Sequence, residues 1–275
     1  MTWSESSLTL SPNKKMNFIR CLQSEWLKKR RSLAAWMVFV GAFFTPSIIL
    51  MARIKNAHKL SAVYVADDFW IKLWNQSWES MAAFLLPIGI ILAVALITQI
   101  EYKNNTWKQL HTTPQRFATI FFAKFLVILI MLGEALILFN IGIYLSAVIP
   151  SALFSNLPYP VAPIPYRGFL TGNINIFIDC LPILALQYLI CLQFKNFLVP
   201  VGAGFVIWFL GIGMLSWEYS YLLPYVHSTI DFLISSGQFG NKKIPPVNIQ
   251  LLAVIYFAVI TTVSYVLYVN KKEKG

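Results

Sequence analysis

The chain has 275 residues, 57% of them hydrophobic and only 12% charged, with a mean hydropathy of +0.64; a soluble domain carries roughly 25% charged residues, so a water-soluble fold is excluded first. A formal net charge of +11 would suit nucleic acid only if the basic residues lined a soluble face, and here they flank apolar runs, where they act as topology signals. Cys21, Cys180 and Cys191 show no Cys-x-x-Cys spacing, and His58, His111 and His227 are scattered singly, so neither a metal centre nor a disulfide framework is indicated.

Backbone polar groups inside a bilayer must be satisfied within the segment, and the apolar runs show no period-two alternation, so helices are expected rather than a barrel. The fold class is all-α, a polytopic membrane protein. Met1 to Lys15 is polar and carries Glu5; it reads as a disordered extension or an upstream start. The first coherent segment opens at Met16, and residues 16–275 read as a single membrane domain. The first apolar run begins only near Leu33, so no cleaved signal peptide is expected.

Before that run, Ile19, Leu22 and Trp26 recur at helical spacing among Arg20, Lys28, Lys29, Arg30 and Arg31. This predicts an amphipathic interfacial helix, its apolar face among acyl chains and its cations at anionic headgroups. The plainer alternative is a positive stop signal for the first span.

A span needs about 20 mostly apolar residues. Six windows qualify: Leu33 to Ala52, Ser80 to Ile100, Ala118 to Val148, Ile174 to Phe194, Phe197 to Trp217 and Ile249 to Tyr268. The third is overlong and predicts tilt. The short turn at Lys195 and Asn196 forces the fourth and fifth into an antiparallel hairpin. With the odd loops outside, the outer face holds Arg53, Lys55, Lys59, Lys72, Arg167, Lys242 and Lys243, and the remaining majority of the 22 basic residues lies inside. Both termini are therefore expected in the cytosol.

In the first outer loop, Asp67 and Asp68 are good cap residues before Phe69, Trp70, Leu73, Trp74 and Trp78, which predicts an aromatic surface helix. The next outer loop, Pro150 to Arg167, is dense in proline and should be an extended cap, because proline lacks the donor a helix needs. Glu218 to Asn248 mixes apolar residues with Pro224, Gly237, Gly240, Pro245 and Pro246. A short re-entrant or surface helix fits it better than another span.

The cytosolic segment from Glu101 to Lys124 is the most informative. Glu101 ends the second span, Thr106, Trp107 and Leu110 offer an apolar contact, Pro114 stops the local helix, and Arg116 and Lys124 mark the re-entry. A loop this short suits docking to a partner better than catalysis.

Glu134 lies midway along the third span, where a carboxylate is expensive and is usually paired, water-exposed or functional; it is the candidate for the translocation path, against a structural bond between helices. Asp179 is expected in the first turns of the fourth span, as a tethering acid at a helix amino terminus. Lys124 can snorkel to the headgroups. No Gly-x-x-x-x-Gly-Lys-Ser/Thr cradle is present, so ATP must be bound by another subunit. Without Gly-x-Ser-x-Gly, and without a histidine in a predicted span, an intramembrane protease is disfavoured; neither enzymatic activity nor a resident cofactor is expected.

The pre-span helix ending Glu25-Trp26-Leu27-Lys28-Lys29-Arg30-Arg31, the six spans, and the pattern Glu101, Thr106-Trp107, Leu110, Pro114 and Lys124 resemble the ABC-2 type permeases, particularly the small bacterial subunits of lantibiotic-immunity, bacitracin-resistance and sodium-extrusion exporters. The Pro-rich outer loop and the residues before Met16 depart from that pattern. The resemblance implies a homodimer or heterodimer of permeases with two ATP-binding subunits in the bacterial cytoplasmic membrane, exporting a hydrophobic or amphipathic substrate such as an antimicrobial peptide or a drug. It implies an ATPase-coupling surface made by Trp26, Glu101, Thr106, Trp107, Leu110 and Pro114. Membrane lipid is a further partner and nucleic acid is not. The residues leave open a non-transporting assembly or sensory subunit. A secondary transporter would be expected to show internal repeats and several intramembrane polar groups, whereas only Glu134 stands out as deeply placed.

Overall fold

The computed structural model describes residues 18–103, 117–239 and 245–270, the side chains of 101–103 excepted. The described residues are helical, with no strand among them. Helix α1 (Phe18–Arg30) turns at Ser32 into α2 (Leu33–Lys55); the Ser32 hydroxyl and amide both donate to the Lys29 carbonyl, at 2.7 and 2.9 Å, closing the turn with groups the helix end would otherwise leave bare. A five-residue α3 (Ser61–Val65) precedes α4 (Phe69–Ser80). That helix runs through a π turn, Met81–Leu85, into α5 (Leu86–Lys103) without a break.

Helix α6 covers Phe117–Leu153, 37 residues. At 1.5 Å per residue it is about 55 Å long, against roughly 30 Å of hydrocarbon. It is longer than the sequence predicts and carries Pro150 inside its last turn; proline has no N–H to give the Ser146 carbonyl four residues earlier, so the ladder loses one bond there. Helices α7 (Tyr166–Asp179) and α8 (Leu181–Gln193) meet at Cys180 and together make one crossing; α9 (Leu198–Gly213), α10 (His227–Ser235) and α11 (Ile249–Asn270) follow.

Among the described residues five helical stretches are long and apolar enough to cross a membrane: Leu33–Lys55, Phe69–Ile100, Phe117–Leu153, Tyr166–Gln193 and Ile249–Asn270; the sixth predicted span is the shorter apolar helix Leu198–Gly213. The hairpin of α8 and α9 is as expected. Gln187 fastens it, donating to the Pro200 carbonyl at 2.9 Å and accepting from the Tyr225 hydroxyl at 2.8 Å.

The core is built on α2 against α6 and on α8 against α5 and α11. At one crossing, Gly142 of α6 faces Pro46 of α2. A methyl group on Gly142 would lie 2.8 Å from Pro46 Cγ and 3.2 Å from Phe43 Cδ1, so the close approach requires glycine, as is usual between membrane helices.

The segment predicted as an aromatic surface helix is part of this core. Phe69, Trp70, Leu73 and Trp78 are each 3% exposed or less, because α4 is the extension of the second span and not a separate element. Asp68 stands at its N-cap but makes no side-chain cap bond; its carboxylate pairs with Lys72 at 2.7 Å. The Pro-rich segment is irregular only from residue 154 and is pinned to α3 and α4: the Val161 amide donates to the Tyr64 carbonyl at 3.2 Å and Trp70 Nε1 to the Ala162 carbonyl at 2.9 Å. The segment Glu218 to Asn248 holds the nine-residue α10, too short to span, as expected. Its Thr229 hydroxyl donates to the Ala82 carbonyl at 3.1 Å, and Trp208 Nε1 of α9 to the Ala83 carbonyl at 3.0 Å. Those are carbonyls of the π turn, where the regular ladder is interrupted and needs other donors.

Candidate functional site

Helix α1 lies along the first half of α6, running in the same direction: Cys21 packs on Ile120 and Ala123, and Lys29 reaches Glu134. The face turned to α6 is Cys21, Glu25 and Lys29, spaced by four residues and 3–6% exposed. The apolar residues that mark the helix as amphipathic lie elsewhere: Ile19 and Leu27 are exposed, and Leu22 packs only partly on the core. The outward side is mixed, with Ile19 and Leu27 exposed beside Arg20, Gln23 and Arg30, while α6 takes the ridge of Cys21, Glu25 and Lys29.

On that ridge the charges are paired. Lys29 Nζ donates to Glu134 Oε2, and Lys28 Nζ to Glu25 Oε1 on its own helix. The Lys29 ammonium also lies 4.3 Å from the centroid of the Trp26 ring, an arrangement in which the ring face attracts the cation. Trp26 and Glu134, two residues that sequence reasoning placed in separate roles, are thus joined through Lys29. The Lys29 side chain is 7% exposed and that of Glu134 32%. Lys124, expected to snorkel, is buried instead.

Glu101 falls within α5, its side chain outside the described residues; Thr106, Trp107, Leu110 and Pro114 also lie outside the described residues, as does the stretch Met1 to Lys15.

Asp179 is not in the first turns of the fourth crossing but just before the Cys180 junction with α8. Helix α7 begins at Tyr166, so Asp179 is its last residue, 1% exposed, facing α10 and α11. Gln250 Nε2 donates to Asp231 Oδ1 at 2.9 Å and reaches Asp179 Oδ2 at 3.5 Å, while Asp179 Oδ1 has no partner. Burial raises the Asp231 carboxyl above the usual carboxylate range. Beside it in α10, burial lowers His227 to about 4, so the ring is neutral, with Nε2 on the Tyr221 carbonyl at 2.8 Å and Nδ1 unpartnered. Among the described residues no cluster of three or more His, Cys, Asp or Glu side chains is placed to hold a metal ion.

Sequence reasoning missed a third polar contact. Asn140 of α6 and Asn173 of α7 exchange amide hydrogen bonds of 2.7 and 3.2 Å, and their remaining hydrogens go to the Leu136 and Phe169 carbonyls of their own helices. The pair lines a cleft of about 620 Å³ walled by Trp70, Trp74, Tyr144 and Phe169. Glu134 is therefore not the one polar side chain deep in the bundle, and carboxamides inside apolar runs were the available signal.

No curated protein and no solved structure matches the chain. A family described as "ABC-2 family transporter protein" matches residues 21–211, from the first turn of α1 to the end of α9. Over that length, with its multi-pass helical bundle and the pre-span helix docked on the third span, the chain belongs to the ABC-2 family of transporter proteins, a membrane transport component.

Proposed function

We propose that the chain is the permease of an ATP-driven exporter in a bacterial cytoplasmic membrane, working as a pair of permeases with two ATP-binding subunits and moving a hydrophobic or amphipathic substrate such as an antimicrobial peptide. The family match from residue 21 to 211 carries the reading, since permeases of this family generally work with an ATP-binding subunit. In this reading residues 16–275 act as one membrane domain, both termini are cytosolic, and the ATP-binding subunit docks on Thr106, Trp107 and Leu110, between Glu101 and Pro114, together with the helix around Trp26. A displacement driven by hydrolysis must enter through elements continuous with spans; these lead directly into the first, second and third.

The test is to search the neighbouring genes for a phosphate-loop ATP-binding protein, co-express it with the chain, purify the complex, and follow ATP-driven flux of a fluorescently labelled cationic amphipathic peptide in proteoliposomes. Truncating an interface hot spot costs about 2 kcal/mol or more. The Trp107→Ala, Leu110→Ala double variant is therefore expected to insert normally, release the ATP-binding subunit and lose flux. Retention of both by that variant would eliminate this docking site.

A further inference from the structure

We propose that Lys29 and Glu134, with Trp26 seating the lysine, form the latch that makes α1 and the third span move as one body. The proposal rests on the exporter reading for its purpose and on the geometry for its parts.

Apolar contact gives little drive for one helix to choose a place on another inside a bilayer, because lipid tails are as apolar as leucine. What holds α1 on α6 in one register must then be shape and polar pairing. The α1 ridge supplies little shape: it is Cys21, Glu25 and Lys29. Glu25 is paired within its own helix, and among the described residues Lys29 to Glu134 is an ion pair that crosses from α1 to α6. The ammonium is further confined by the Trp26 ring on the same helix. Where α2 takes over, the contact becomes the tight fit of Pro46 against Gly142, so the latch sits between the Cys21 contact near the start of α6 and a fit that is already locked.

Stability alone does not account for it. Replacing a buried ion pair by apolar residues of similar volume is often neutral or stabilising, and the best-attested use of such a pair is to set register or to switch. A residue pair kept for register has a signature that a merely structural pair lacks: its apolar replacement folds but fails to transmit.

The decisive variant is therefore Lys29→Met with Glu134→Leu. In proteoliposomes with the ATP-binding subunit it is expected to be as stable as the parent, to retain that subunit and its ATP hydrolysis, and to lose about tenfold in flux of the labelled cationic amphipathic peptide per ATP, the size of effect seen along coupling networks. Flux per ATP equal to the parent's would overturn the latch. The swap Lys29→Glu with Glu134→Lys should recover most of the flux; a swap no better than the apolar pair would also count against an ion-pair latch. Cys21 gives a readout independent of transport, since its thiol is buried on Thr119, Ile120 and Ala123. Peptide-level labelling with a membrane-permeant maleimide should leave Cys21 protected in the parent and in the swap, and modify it in Glu134→Lys alone. Protection that does not change in Glu134→Lys overturns the latch even if the parent shows no ATP-driven flux, the outcome that would sink the exporter reading instead.

Discussion

Where α1 meets α6 the buried charges are of opposite sign, Lys29 against Glu134; where α10 meets α7 and α11 they are of the same sign, Asp231 beside Asp179, with Gln250 reaching both. The first arrangement sets an ammonium donor against a carboxylate acceptor and joins two helices by their attraction. The second discourages ionisation, since two carboxylates that share a site do not both ionise readily, and the neighbouring His227 is held neutral by burial. The molecule thus handles buried polarity in two ways. At one site a substitution changes a force between helices, and at the other a proton does.

The largest expected effect is at the opposite-charge site. Glu134→Lys sets a second ammonium against Lys29, and breaking a buried pair costs about 3–5 kcal/mol; with a third of the Glu134 side chain exposed, the lower figure is the better guide. Thermal unfolding of the detergent-solubilised chain should show a large fall in midpoint. Glu134→Gln should be milder, because the amide still accepts from Lys29 and adds no charge. If the two lost transport equally at equal expression and stability, attraction would not be what Glu134 provides, and a proton or cation role would take its place.

Much of this arrangement was legible in the sequence and part of it was not, for a physical reason. Apolar run length found the helices, because every crossing must bury its backbone over the same thickness, and Glu134 stood out because charge inside an apolar run is costly. Its partner did not stand out. Lys29 lies in a run of basic residues where each reads as a headgroup contact, and only the docking of α1 along α6 separates it from Lys28 and Arg30. Asp179 was misplaced because the start of the fourth crossing was taken from hydropathy at Ile174, whereas the helix starts at Tyr166, and the eight residues between turn a helix-start acid into a buried one. The aromatic helix was misread in the same way: Trp70 and Trp78 look like a membrane belt in one dimension and are core once α4 continues into α5.

The second effect belongs to the same-sign site and is driven by acid. His227 has a folded pKa of about 4 against an ordinary value near 6.5, so as pH falls the unfolded chain takes the proton first. Its contribution to stability is full above about pH 6.5 and is lost progressively toward pH 4, by up to roughly 3 kcal/mol. The melting temperature should drop between pH 7.5 and 5, and His227→Gln should flatten that slope. A slope unchanged by His227→Gln would mean that acid acts elsewhere.

The smallest effect has the opposite sign, and it tests whether the folded state needs Asp231 charged. Burial raises the Asp231 carboxyl, so the folded state binds its proton more tightly than the unfolded chain does. For such a group stability falls as pH rises above the ordinary carboxylate value near 3.9, and at neutral pH the parent carries that penalty. Asp231→Asn removes the ionisable group, and its carboxamide still offers Gln250 Nε2 an oxygen in place of the present 2.9 Å bond. Because Asp231 is only half-buried, the gain is modest and should be measurable as a small rise in melting temperature at pH 7.5 that shrinks toward pH 4. The comparison is cleanest in the His227→Gln background, where the histidine no longer tilts the baseline. A marked loss of stability in Asp231→Asn at pH 7.5 would show that the folded state depends on a charged Asp231, and the contrast between an attracting pair and a neutralised one would fail at its second member.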